Sequence, residues 1–210
     1  IVTLGSKPLS SVLSDVVESA SSIAEQLGKP RPDVQIDDAN IFIEENGQSM
    51  LNNIFMHVFR NAMDHGIEGA EERQAKGKAG QGSITLKTDV GSESAVLSVR
   101  DDGRGIAVSK IYEMAVEKGI YSADDARPEA KEIANLIFSS GFSTAEEVTD
   151  VSGRGVGMDA VKGFLEKEGG SIDVVLTKGE SGGDFRNFAT HIRIPEKFYK
   201  LAFNFAQNVA

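Results

Sequence analysis

The chain contains no cysteine and only three histidines in 210 residues. That excludes disulfides and thiolate chemistry and disfavours a zinc centre. A reducing, cytoplasmic setting is the expectation that fits. No apolar run approaches the roughly 20 residues needed to span a bilayer, so direct membrane insertion is not expected. Positive charge is in deficit. Lys and Arg total 22 against 32 Asp and Glu, a net charge of −10, which disfavours nonspecific binding to nucleic acid or anionic membrane. There is no internal repeat. The opening "IVTLGSKPLS" has neither an initiator Met nor a signal-peptide pattern and reads as the cut end of a longer protein.

What is present has the balance of a globular domain, with 40% hydrophobic and 26% charged residues. Residues 8–27 form an apolar stripe at helical spacing, from Leu9, Val12 and Leu13 through Val16, Ala20, Ile23 and Ala24 to Leu27. Pro8 suits the first turn and Gly28 the end. "VQIDDANIFIE" (34–44) holds two short strands. A helix is expected over 50–65 and a polar, Gly-rich loop with at most one helical turn over 66–82. "SITLKTDV" and "SAVLSVRD" alternate with period two across a short turn and predict a hairpin. Helices follow at 107–118, 128–138 and 156–168, the last with Ala160, Val161, Phe164 and Leu165 on one side. "SIDVVLT" and "FATHIRI" are two more strands. Hairpin-linked strands with clustered helices predict an α+β fold: a mixed, mostly antiparallel sheet covered by helices on one face. Residues 1–33 form a leading helical segment and 34–195 the domain. Residues 196–210 form a short amphipathic helix or a junction, with Phe198, Leu201, Ala202, Phe205 and Val209 at helical spacing.

Three stretches carry chemistry. In "HVFRNAMDHGIE" (57–68), steps of about 100° per residue place Leu51, Ile54, Phe55, Val58 and Ala62 on one face. His57, Asn61, Asp64 and His65 cluster about a quarter-turn away, at the edge of the buried stripe, where a ligand can be reached. In "SAVLSVRDDGRGI", Ala95, Leu97, Val99 and Asp101 share one face by strand alternation, so the Asp101 carboxylate is aimed inward. It needs a donor there; a purine amine is a suitable one, and the following glycines let a flat base approach. A structural Asp-Gly turn is the plainer alternative. In "GRGVGMDAVK", Gly153, Gly155 and Gly157 open a helix, where free backbone N–H groups can donate to phosphates. Lys110 or Lys162 could add charge. This is not a Walker A loop, because the G-K-[ST] ending is missing. The irregular segment 139–155 before it has the length of a lid that orders on ligand binding.

In order, "HVFRNAMDHGIE", "DDGRGI", "FSSGFST" and "GRGVGMDAVK" resemble the ATP-binding domain shared by histidine kinases, gyrase, Hsp90 and MutL. The resemblance is nearest to the chemotaxis-type histidine kinases and covers about residues 34–195. It implies a two-layer α/β sandwich that binds ATP with Mg2+. It implies that Asn61 holds the metal and Asp101 accepts the adenine amine. Gly103, Gly105 and Ile106 would line the adenine side. Phe142, Ser143 and Thr144 would stand at the lid base. Gly153, Arg154, Gly155, Val156, Gly157 and Met158 would lie on the phosphate side. His57, Arg60, Asp64, His65 and Lys110 would occupy further nucleotide-side positions, with His57 and Asn61 the catalytic pair.

ATP hydrolases of this superfamily resemble one another in having Glu four residues before the helix asparagine; here that position is His57. Transfer to a protein is therefore expected over hydrolysis, with His57 either a base or a phosphate contact. The acceptor histidine is expected outside this chain. Response-regulator and receptor or adaptor partners are implied by the resemblance alone. A nucleotide-sensing module without transfer and a gyrase- or Hsp90-like ATPase are the alternatives. The chain departs from the pattern at "GGDFRNFATHIRIP" (182–195), which lacks the usual Gly-Thr pair.

Overall fold

The computed structural model describes residues 5–139, 142, 158–180 and 184–202, with the side chains of 158, 160, 161 and 178–180 outside the description. A six-stranded sheet forms its base. It is built from β2 (Asp33–Asp37), β4 (Ser83–Val90), β5 (Ser94–Asp101), β6 (Ile106–Ala107), β7 (Ser171–Glu180) and β8 (Phe185–Pro195). The path runs β2-β4-β5-β8-β6, with β7 also paired to β8. Among the described residues only β2–β4 is parallel; the other pairings are antiparallel.

Alternation determines which face is covered. Ile84, Leu86, Ala95, Leu97, Val99, Ile192, Ile194, Ile172 and Val174 are buried. The intervening Thr85, Lys87, Ser98, Arg100, His191 and Arg193 keep partial or full exposure. Because Asp101 is two residues beyond Val99, it stands in the inward series, as the strand period requires.

The α-helices among the described residues are α1 (Leu9–Val12), α2 (Ser14–Gln26), α3 (Glu45–Asn61), α4 (Ala70–Ala75), α5 (Val108–Glu117), α6 (Ala130–Asn135) and α7 (Met158–Lys167). The central one is α3. Leu51, Ile54, Phe55 and Phe59 on its inner face are at most 1% exposed, and the Phe55 and Phe59 rings meet edge to face at 6.2 Å. The helix begins five residues earlier than its apolar pattern, because its first turn is anchored by tertiary contact. A Cβ on Gly47 would sit 3.1 Å from the Phe198 ring.

A second sheet was not foreseen. The two-residue β1 (Lys7–Pro8), β3 (Ile41–Ile43) and β9 (Tyr199–Leu201) pair antiparallel in the order β1-β3-β9. The described start of the tail is therefore a 3-10 turn, Glu196–Phe198, followed by a strand, Tyr199–Leu201, rather than a helix. Phe198 is buried as expected, but Leu201 is 49% exposed. Residues 203–210, with Phe205 and Val209, lie outside the described residues.

Other expectations need similar correction. The first helix breaks at Leu13, and Pro8 belongs to β1 and precedes the helix. Leu27 follows the last helical residue and is 45% exposed. Phe164 is also 45% exposed while its neighbour Leu165 is fully buried. Adjacent residues lie about 100° apart on a helix, and α7 turns the Leu165 side inward.

Candidate nucleotide site

The helix bearing the polar stripe does not end at Asn61. It continues as a π-helical turn, Ala62–Gly66, closed by a 2.7 Å bond from the Ile67 N–H to the Ala62 carbonyl. Such turns insert an extra residue into the helical ladder and are frequent at functional sites. Here Met63 faces the core while Asp64 and His65 are exposed and Gly66 is buried. Asn61 is exposed, and His57 and Arg60 are partly buried. The stripe is thus an accessible flank beside the core, as the helical steps predict.

The turn is held from outside by Lys29. Its ammonium donates to the Met63 carbonyl and, at 2.8 Å, to that of Ile67. These are carbonyls that a helix end leaves unpaired. Burial lowers the lysine's pKa, opposed by the nearby Asp64 carboxylate.

Gly66 brings the second element into register. A Cβ placed on it would lie 2.9 Å from Asp101 Oδ1. The end of the stripe-bearing helix and the end of β5 therefore meet at that carboxylate. Asp101 Oδ1 accepts the Gly103 N–H at 2.9 Å. Burial pushes the Asp101 carboxyl above its ordinary range; the Gly103 N–H pulls it down, and the Asp102 charge pushes it up again. The Arg104 N–H donates to the Gly66 carbonyl at 2.9 Å.

The glycines of "DDGRGI" have reasons within the protein. A Cβ on Gly103 would fall 2.2 Å from the Gly66 carbonyl oxygen. One on Gly105, whose φ is +83°, would fall 2.4 Å from the Arg186 carbonyl oxygen. Both positions need glycine for backbone packing, whatever approaches from outside. Ile106 is buried and pairs with Arg186. Lys110 is exposed in the first turn of α5, a turn whose Ser109 N–H is held by the Asp184 carboxylate at 3.1 Å.

Phe142 is 3% exposed, with the Lys118 ammonium 5.8 Å from its ring centroid. Ser143, Thr144, Gly153, Arg154, Gly155, Val156 and Gly157 lie outside the described residues. Met158 starts α7, with its side chain outside the description. The structure therefore joins the Gly66 end of the stripe-bearing helix to Asp101 and Gly103. The glycine-loop expectations fall outside the described residues.

Sequence reasoning missed the support beneath this junction. Arg73, in the segment read as a loop, is 1% exposed at its side chain and pairs with Glu68, which is fully buried, and with Asp102. The available signals were the charge density of "EERQAKGK" and the second Asp of "DD". Among the described residues, no group of three or more His, Cys, Asp or Glu could hold a metal ion.

The model for the histidine kinase-, DNA gyrase B- and HSP90-like ATPase matches residues 46–197. The chemotaxis protein CheA of Bacillus subtilis (strain 168) is 44% identical over 126 residues, which is 60% of this chain and 19% of that protein. CheA of Listeria monocytogenes is 35% identical over 180 residues, 85% of this chain and 29% of that protein. The gliding motility regulatory protein of Myxococcus xanthus is 35% identical over 168 residues, 80% of this chain and 22% of that protein. The chain thus spans less than a third of these relatives. Among solved structures, the mycobacterial sensor histidine kinase MprB is similar, with a TM-score of 0.46 and 17% identity over 87% of this chain and 95% of that one. Matched from the first turns of the stripe-bearing helix to the end of the sheet, the chain belongs to the histidine kinase-, DNA gyrase B- and HSP90-like ATPase family.

Proposed function

We propose that this domain binds ATP with Mg2+ and transfers the γ-phosphate to a histidine on a separate domain or partner, in the manner of a chemotaxis-type kinase. The observation that carries the reading is the meeting of Gly66 with the Asp101 carboxylate. It sets an inward acceptor for an adenine amine beside the helix that presents Asn61. From Asn61 to Gly66 the helix advances roughly 7 Å, within the span of one nucleotide.

The roles follow from chemistry. Asp101 reads the purine by accepting from its amine. Asn61 offers a neutral amide oxygen, a donor type suited to Mg2+, which keeps most of its shell for water and phosphate oxygens. Asn61 is exposed, so its amide oxygen is accessible to an ion that arrives with the nucleotide. When bound, Mg2+ neutralises phosphate charge. Arg60, His65 and Lys110 would bind or orient phosphates, and Asp64 would support that side. Ser143, Thr144 and the 153–158 loop would complete the phosphate end. His57 stands where a hydrolase would use a carboxylate to activate water. An imidazole there favours transfer, which depends mainly on positioning and charge neutralisation.

The setting proposed is cytoplasmic, with response-regulator and receptor or adaptor partners. The test mixes the chain with Mg·ATP labelled at the γ position and a histidine-bearing phosphoacceptor domain of a chemotaxis kinase. Label on the acceptor, with little phosphate release in its absence, is expected. Steady ATP turnover without acceptor would show a hydrolase. ATP binding without label would show a sensing module.

A further inference from the structure

We propose that Arg73 and Lys78 are positioning residues for base recognition: they do not touch the nucleotide but hold the 101–104 loop in the shape that reads adenine. The proposal rests on the adenine reading of Asp101 given above.

Arg73 is a buried hub with every guanidinium N–H used. Nε donates to the Ala79 carbonyl at 2.7 Å. Nη1 donates to Glu68 at 3.2 Å and to the Asp102 carbonyl at 3.4 Å. Nη2 donates to Asp102 Oδ2 at 2.8 Å and to the Gln81 carbonyl at 3.2 Å. Lys78 completes the clamp. Its ammonium donates to Glu68 at 3.0 Å, to the Asp102 carbonyl at 3.0 Å and to the Gly103 carbonyl at 2.9 Å.

The clamped loop is the one that shapes the site. Gly103 supplies the N–H that fixes Asp101 Oδ1, and Arg104 ties the loop to Gly66. A single side chain thus joins the segment after the stripe-bearing helix to the loop after β5. An Arg fork bound to carboxylates and carbonyls fixes orientation as well as distance. Both cations bond the Asp102 carbonyl, and Lys78 alone bonds that of Gly103, so the network acts directly on the backbone of the base-reading loop.

The experiment measures ATP and GTP affinities by calorimetry, and thermal unfolding midpoints, for the 210-residue chain and for Lys78→Met, Arg73→Lys and Asp101→Asn. Loss of the Lys78 charge weakens both nucleotides alike, so the ATP-to-GTP preference isolates base reading. The expected result is a preference reduced about tenfold in Lys78→Met and Arg73→Lys, beyond any change in folded fraction. Lys78 is 32% exposed at its side chain, so Lys78→Met decides alone if Arg73→Lys does not fold. A purely structural network would lower the midpoints and leave the preference intact, which overturns the proposal. If Asp101→Asn abolishes the preference while the other two keep it, only the positioning role fails. If Asp101→Asn also keeps it, the adenine reading fails with it.

Discussion

Replacing Gly66 with alanine sets two effects of similar size against each other. Within a helix, Ala is favoured over Gly by about 1 kcal/mol, so propensity alone makes Gly66→Ala stabilising. The surroundings oppose it. The new Cβ would stand 2.9 Å from Asp101 Oδ1, 3.2 Å from its Cγ and 3.3 Å from Oδ2. Carbon contacts settle at roughly 3.5 Å, so the carboxylate must retreat by about half an ångström. That movement stretches its 2.9 Å bond from the Gly103 N–H, a bond to a charged group worth about 1.5–3 kcal/mol. Losing part of it cancels or exceeds the propensity gain, so net stability should change by no more than about 1 kcal/mol, on the destabilising side. Nucleotide binding should change more, because the displaced carboxylate is the proposed adenine acceptor. A loss of about tenfold in ATP affinity is expected. Urea unfolding without nucleotide and calorimetric titration with Mg·ATP measure the two effects separately. A variant stabilised by the full propensity difference, with ATP affinity unchanged, would refute the reasoning.

Glu68 provides an acid-stability test. Burial pushes its pKa up, but its own backbone N–H and the Lys78 and Lys76 ammonium groups outweigh that and bring it from 4.5 to about 2. A folded value below the unfolded one stabilises the fold above pH 4.5 and is lost as pH falls toward 2. Urea unfolding across that window should show a shallower pH slope in Glu68→Gln than in wild type. Asn135 closes part of the β7 edge like a strand, accepting the Val174 N–H at 2.7 Å and donating to its carbonyl at 3.1 Å. Asn135→Ala should lower unfolding free energy by about 1–3 kcal/mol, read from the urea midpoint. The Asp101 carboxyl is raised, chiefly by burial, so on acidification it loses its charge earlier than an ordinary aspartate. The difference in ATP affinity between wild type and Asp101→Asn should therefore narrow as pH is lowered, while the same raised carboxyl makes the fold lose stability as pH rises through its titration.

Local periodicity made much of this molecule readable. Leu97, Val99 and Asp101 share a strand face, and the structure keeps Asp101 in that inward series. Leu51, Ile54, Phe55 and Val58 share a helix face, and the polar residues beside them are accessible as the angles require. The pairing of pieces too short to have a period was not readable, although β3 falls in a stretch read as strand. The β1-β3-β9 sheet joins pieces of two and three residues from far apart in the chain, and its pairing depends on tertiary contact. The π-helical turn was hidden because it interrupts the very step used to place Asp64 and His65. Arg73 was hidden because charge in a Gly-rich stretch normally signals solvent; its burial depends on Glu68 and Asp102, five and 29 positions away. Phe198 and Leu201 fit a helical spacing, yet the backbone of residues 199–201 pairs with β3, so the helical alternative does not hold at the start of the tail.

The central claim is that the carboxylate at the end of β5 reads the purine. Its most direct test is calorimetric titration of Mg·ATP into wild type and Asp101→Asn, with unfolding midpoints recorded alongside. Asparagine keeps the size but replaces one oxygen with a donor and removes the charge, so ATP affinity should fall by about 1.5–3 kcal/mol, roughly ten- to a hundredfold, in a variant that remains folded. Equal affinity in the two proteins would contradict the account.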